Sequence, residues 1–360
     1  MAEPMPSTDE PTRLRVRSAE DLIEAVPYLL GFRPNDSAVL VGLDRPALAE
    51  GSIGRVTVVA RMDLAGLDDA FADAASGPVE VHPVPAHPVQ GSLPIPRQSS
   101  ANALVENAVQ VLLRARTAQA VGLLYIGRTA SPEGCHRAML IVDRAARRQG
   151  LDVAEWLVAV AETDSAGRPV APVASSRIAA EATYAGLVAR PDRCALAAVL
   201  EPRPLAERER LRDRLDYARI QHRRTARSAR GAAIRRSSVR ALFAASRTLA
   251  VLDDPQLVWF GAALGDHDVR DACWLAIEGR RLDGEALWRE LAGALPDPYA
   301  AAPAFLFGWL QWRAGHGALA AVAVERTLQA DPDYRAAHLL DSALGHGLDP
   351  FRTPRLRKGA

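Results

Sequence analysis

Lysine is almost missing from this chain. Of its 44 basic residues only Lys358, two places from the end, is a lysine. That absence excludes several chemistries. A P-loop needs a lysine on the β- and γ-phosphates, a protein kinase needs its strand lysine, and a pyridoxal enzyme needs a lysine for the Schiff base. Cysteine is scarce too. Cys135, Cys194 and Cys273 are widely spaced and form no CxxC pair, which excludes a disulfide framework. No run of ~18 apolar residues occurs, so no membrane span is expected. The first ten residues hold no apolar segment, so no secretory signal is expected and the expected location is cytoplasmic.

Motif signatures are missing as well. There is no HExxH and no GxSxG, and His82, His87, His338 and His346 do not form a ligand-spaced set. No cofactor and no metal are expected. Gly315 to Ala320 matches GxGxxA superficially. It follows a helical pattern rather than a strand, so it reads as a turn between helices.

What remains is an ordinary packed protein of 360 residues, 49% hydrophobic and 24% charged. The expected fold is an α/β N-terminal domain with a mixed sheet, followed by an all-α C-terminal domain containing a tetratricopeptide-like helical hairpin. Its boundaries are a disordered N-terminus (1–12), the α/β domain (13–200), the helical domain (201–350) and a basic, frayed tail (351–360). Ser18 starts a helix as its N-cap, and Arg33 to Asp36 form a turn. Strands follow at 38–43 and 55–63, then a helix at 66–76 and an extended loop at 77–98 with six prolines. Alternating helix and strand patterns from 99 to 160 imply right-handed crossovers and a partly parallel sheet. Beyond Pro204 only helical patterns occur.

The hairpin expectation comes from the register of a 34-residue repeat closed by Pro332. Phe307, Gly308, Gly315 and Ala320 then match the repeat, while Ala304, Gln311 and Thr327 do not. Trp259, Trp274, Trp288, Trp309 and Trp312, with Phe260, are expected to be helical core.

Charge is distributed unevenly. Thirteen arginines and four acids lie between Arg203 and Arg240, a balance of +9, which leaves −8 for the rest of a chain of net charge +1. GC-rich coding favours arginine over lysine, so arginine content alone says little. Its clustering is the electrostatic footprint of phosphate binding. Arg223, Arg224, Arg227, Arg235 and Arg236 are the candidate partner surface. A solvated helix face is the plainer reading.

The sharpest polar candidates are Asp36, Ser37, Arg61 and Asp63. They bracket the two N-terminal strands, and strand ends are where α/β sheets bind ligands. Arg61 could hold a carboxylate or phosphate bidentately. The plainer reading is that Asp36 and Ser37 serve the turn and Arg61 pairs with Asp63.

Four segments resemble one family: AVPYLLGFRPNDSAVLVGL (25–43), RMDL (61–64), VRDACW (269–274) and the stretch from Leu287 to Pro350 with its GWLQWRAGHGALA and ADPDY blocks. The chain is similar to the domain-of-unknown-function 4192 family, widespread in actinobacteria, from about residue 14 to 352. That resemblance brings no activity with it. It implies a cysteine-rich stretch after the last N-terminal strand, yet 157–172 holds no cysteine, and it implies an acid where His316 stands.

The function expected from these features is non-enzymatic binding of a protein or ligand, as a scaffold or regulator, with a protein partner on the helical domain. Two alternatives stand beside it. One is a small-ligand enzyme or sensor built on the strand-end residues. The other is nucleic-acid association through 203–240. No membrane partner is expected.

Overall fold

The computed structural model describes residues 14, 16–44, 56–64, 101–127, 130–160, 176–247, 251–282 and 284–356. The N-terminal segment 1–12, the expected helix at 66–76 and the proline-rich 77–98 lie outside the described residues. Chain contacts divide the molecule into two units. One is Arg13–Tyr28 with Arg33–Leu187, the other Leu29–Phe32 with the chain from Val188 onward.

The first unit is a four-stranded mixed sheet with helices on it. Its elements are α1 (Ala19–Leu30), β1 (Ser37–Leu43), β2 (Val56–Asp63), α2 (Ala101–Arg114), β3 (Gln119–Ile126), α3 (Pro132–Arg148), β4 (Val153–Val160) and α4 (Arg177–Tyr184). The strand order is β2-β1-β3-β4. β1 is antiparallel to both its neighbours, and β3 and β4 are parallel. The reason lies in the connections: α3 returns the chain across the sheet between β3 and β4, as a parallel pair requires.

β1 is apolar throughout and every residue of it is buried. One of its faces, with Ala38 and Leu40, packs on Val105 and Val109 of α2 and Val142 of α3. On the other face, the Tyr125 hydroxyl donates to the Ile23 carbonyl of α1 at 2.8 Å. An ion pair between Arg177 and Asp21 ties α4 to α1. α3 starts where sequence chemistry sets it: Ser131 caps the Gly134 amide at 3.0 Å and Pro132 takes the first helical position.

The second unit is helical. In order it holds α5 (Arg193–Ala197), a short 3₁₀ turn, α6 (Leu205–Glu209), α7 (Arg212–Ala226), α8 (Gly231–Ala245), α9 (Asp254–Leu264), α10 (His267–Glu278), α11 (Glu285–Ala294), α12 (Ala301–Arg313), α13 (Gly317–Ala330) and α14 (Arg335–Gly345). α12 is its axis, buried over nearly its whole circumference. It packs against α11 and α13. Gly308 makes the α13 contact possible, since a Cβ there would stand 2.9 Å from the Ala323 Cβ.

Trp274 meets Phe305 and Trp309 edge-on, each at 4.9 Å between ring centres. Trp288 is fully buried. Trp259 departs from the core expectation: it is 42% exposed and leans on Phe260. Its neighbours Leu257, Val258 and Phe260 fill the inward side of α9, which leaves Trp259 outside.

The tail also departs from expectation as far as residue 356. Arg313 donates to the carbonyls of Pro350, Thr353 and Pro354, and Arg355 donates to the Glu278 carbonyl. Residues 350–356 are therefore strapped by hydrogen bonds to α10 and α12 rather than frayed.

Candidate functional site

The register of β1 and β2 decides the geometry at the sheet end. Ser37 stands opposite Asp63 and Val39 opposite Arg61. Alternation along a strand then puts Ser37, Arg61 and Asp63 on one face. Arg61 Nε donates to Ser37 Oγ at 3.0 Å, and Ser37 Oγ donates to the Asn35 carbonyl at 2.6 Å. Both Arg61 terminal nitrogens turn to the Asp63 carboxylate, giving a bidentate ion pair. Ser37 is fully buried, and the Arg61 side chain is 18% exposed. The bidentate face that could hold a ligand carboxylate is occupied by Asp63.

Asp36 lies at the same end but turns elsewhere. Its backbone is left-handed, with φ of 43°. Its carboxylate accepts the Gly127 amide at 2.8 Å and the Ala130 amide at 3.1 Å. These are the amides between β3 and α3, where many α/β folds cradle a phosphate. Here an internal carboxylate takes them. A Cβ at Gly127 would stand 2.0 Å from Asn35 Oδ1, so a larger residue there has to displace the Asn35 amide group. Among the described residues Asn35 Oδ1 is buried without a hydrogen-bond partner. The structure thus joins Ser37, Arg61 and Asp63, and sends Asp36 to the neighbouring loop.

The arginines of 203–240 fall into two sets. Seven are matched to acids. Arg203 pairs with Glu290, Arg208 with Asp297, Arg210 and Arg214 with Asp254, Arg212 with Glu209, Arg219 with Asp216 and Arg235 with Asp266. The other six, Arg223, Arg224, Arg227, Arg230, Arg236 and Arg240, have no carboxylate within ion-pair distance among the described residues. Of the candidate surface residues, Arg235 therefore leaves the set, and Arg223, Arg224, Arg227 and Arg236 remain exposed.

The acid that claims Arg235 is informative. Asp266 caps α10 through the Asp268 amide at 3.0 Å and lies 2.8 Å from Arg235 Nε. Buried His222 faces it at 3.4 Å. Burial alone would raise the Asp266 carboxyl, but Arg235, the Asp268 amide and His222 together hold it below its ordinary value.

Sequence reasoning missed two features. The first is Glu278, whose side chain is 1% exposed. Arg313 grips it bidentately at 2.7 and 2.9 Å, the Trp309 indole donates to it, and the Leu356 amide approaches at 3.3 Å. No local pattern marks a glutamate at the end of α10 as buried; its partners come from 31 to 78 residues away. The second is a cleft of about 350 Å³ lined by Glu201, Arg203, Arg289 and Glu290 over apolar residues such as Leu287. Its charges are mixed and Arg203 is already held by Glu290 at 2.6 Å, so it selects no one ligand charge. Among the described residues no three of His, Cys, Asp and Glu gather as a metal site, and no helix is long and apolar enough to cross a membrane.

No curated protein and no solved structure matches this chain. A family model described as a domain of unknown function matches residues 20–351, which takes in the sheet, the strand-end cluster and the helical unit. The chain belongs to the domain-of-unknown-function 4192 family.

Proposed function

We propose that this protein is a non-enzymatic binding protein, a scaffold or regulator that works through its helical unit. One observation carries the reading: the strand-end groups are satisfied by one another. Arg61 is matched to Asp63 and Ser37, and Asp36 covers the amides a phosphate would need. A catalytic group has to be within hydrogen-bond reach of a substrate proton or charge, and these groups are engaged with one another and with the backbone instead. The hairpin of α12 and α13, similar to a tetratricopeptide unit at Phe307, Gly308 and Ala320, supports a binding role for the second unit.

A small-ligand sensor at the sheet end is the second reading. The buried Asn35 Oδ1 with no partner among the described residues favours it, since such an atom is costly to leave unpaired. One experiment separates the two. The intact chain is screened by thermal shift against phosphate- and carboxylate-bearing metabolites, beside an Arg61→Met/Asp63→Leu variant. The binding-protein reading expects no ligand to raise the Tm of either. A saturable rise in the intact chain that disappears in the variant would replace it with the sensor.

A further inference from the structure

We infer that the outer face of α7 and α8 binds the phosphate backbone of duplex DNA, through Arg223, Arg224, Arg227, Arg230, Arg236 and Arg240. This names the partner class for the helical unit and stands whether or not the sheet end binds a small ligand.

Residues 217–252 contain nine arginines and no Asp or Glu. An acid-free run of that length on two helices gives a field of one sign, which a merely solvated face with interspersed charges does not. The packing directs it outward. α7 lies against α9 and α8 against α10. The buried residues of α7 are Leu215, His222 and Ala226, and those of α8 are Gly231, Ser238 and Leu242. At 100° per residue Arg224 and Arg227 fall opposite the first set, and Arg236 and Arg240 opposite the second. The two helices therefore present Arg224, Arg227, Arg236 and Arg240 on the side away from α9 and α10, with exposed Arg223 and Arg230 flanking them. Arg223 and Arg227, and likewise Arg236 and Arg240, are separated by about 6 Å along their helices. That is close to two steps of ~3.4 Å along one DNA strand.

Rival anionic partners each need something this face lacks. An acidic protein partner needs buried aromatic or aliphatic anchors at the centre of its interface. Tyr217 and Ile220 are exposed where the face begins on α7, but beyond them no large hydrophobic residue is exposed before Val251 among the described residues, so the centre of the basic face offers no anchor. An anionic membrane needs an apolar stripe to insert beside the cations, which is absent for the same reason. Single strands are held by stacking on aromatics. The nearest exposed one, Tyr217, lies nearly two turns before Arg223. Duplex backbone contact needs cations alone, without base-edge readers, so the binding is independent of sequence.

The test is fluorescence anisotropy of the intact chain with a labelled 20-base-pair DNA duplex from 50 to 300 mM salt. Parallel arms use a single-stranded 20-mer, poly-glutamate and anionic phospholipid vesicles. Duplex binding is expected, with log K falling against log salt at a slope of about −3 to −5, set by ~0.9 per phosphate neutralised. Arg223→Gln/Arg227→Gln/Arg236→Gln, all exposed positions whose helical fold is checked by circular dichroism, should weaken binding at least about tenfold at 50 mM and flatten the slope by ~2.7. Arg210→Gln/Arg214→Gln, which touches only matched arginines, should stay within about twofold. Absent duplex binding, a salt-independent affinity, an unchanged triple variant, or preference for any parallel arm over the duplex overturns the inference.

Discussion

Replacing Glu278 by Gln should destabilise the helical unit far more than a surface charge change would. Glu278 is buried with the guanidinium of Arg313, which is itself only 12% exposed. The pair draws a further donor from Trp309 and another from the Leu356 amide. Removing one partner of a buried pair leaves an uncompensated charge and costs about 3–5 kcal/mol. Gln keeps one acceptor for the Trp309 indole. Its amide group then meets Arg313 Nη2 and the Leu356 amide, donor against donor. The cost should therefore lie near the lower end, about 3 kcal/mol.

A helical unit of this size loses about 2–4 °C per kcal/mol, so the Tm should fall by ~6–12 °C. Intrinsic fluorescence is a suitable probe, because Trp309 and Trp312 lie 5.6 and 5.0 Å from the Arg313 guanidinium. Glu278→Leu/Arg313→Met should recover at least half of the loss, since apolar residues of like volume often replace such pairs without cost. A Glu278→Gln protein within about 0.5 kcal/mol of the parent would show the pair behaving as a solvated one, and the reasoning would fail.

Other outcomes follow from the same geometry. Asp36→Ala orphans the Gly127 and Ala130 amides and should cost about 1–3 kcal/mol in urea unfolding; a neutral effect would mean that water replaces the carboxylate. Gly127→Ala should destabilise by as much as it costs to displace the Asn35 amide group, and the loss should vanish in an Asn35→Ala background, which removes the atoms the new Cβ meets; no rescue would place the strain elsewhere. Maleimide should label one thiol in the native chain, exposed Cys194, and three in urea, because Cys135 is buried and burial pushes the Cys273 thiol up to about 12. The folded pKa of Asp266 lies below its unfolded one, so its stabilisation is present above the ordinary carboxylate value and lost as pH falls through the lower folded one. The stability gap between the parent and Asp266→Asn should thus close as pH falls below the ordinary carboxylate range, and a gap constant with pH would contradict this.

Much of the fold was legible because local chemistry and tertiary packing agree. The apolar run of β1 reads as a central strand and is one, buried on both faces. Ser131-Pro132 starts α3 as capping chemistry requires. The plain alternative for Arg61, a pair with Asp63, was also readable, since two residues apart on a strand share a face. What could not be read is whatever depends on distant partners. Asp36 was a turn residue by sequence, but its acceptors' donors come from 91 and 94 residues away. Trp259 carries the same apolar signal as Trp288, yet only its position on α9 leaves it outside. Leu205 likewise carries the same apolar signal as Leu211 and Leu215, yet it is 64% exposed while they are buried, because α6 ends before α7 begins. The division of the arginines into matched and unmatched sets depends on Asp254, Asp266, Glu290 and Asp297, none of which lies in the basic segment.

Hydrogen–deuterium exchange of the intact chain, with and without a saturating 20-base-pair duplex, bears on the open helical face and the closed sheet end at once. Peptides covering 219–240 should gain protection, while those covering 35–43 and 56–64 exchange as before. Protection confined to the strand-end peptides, or no protection anywhere, would contradict the account.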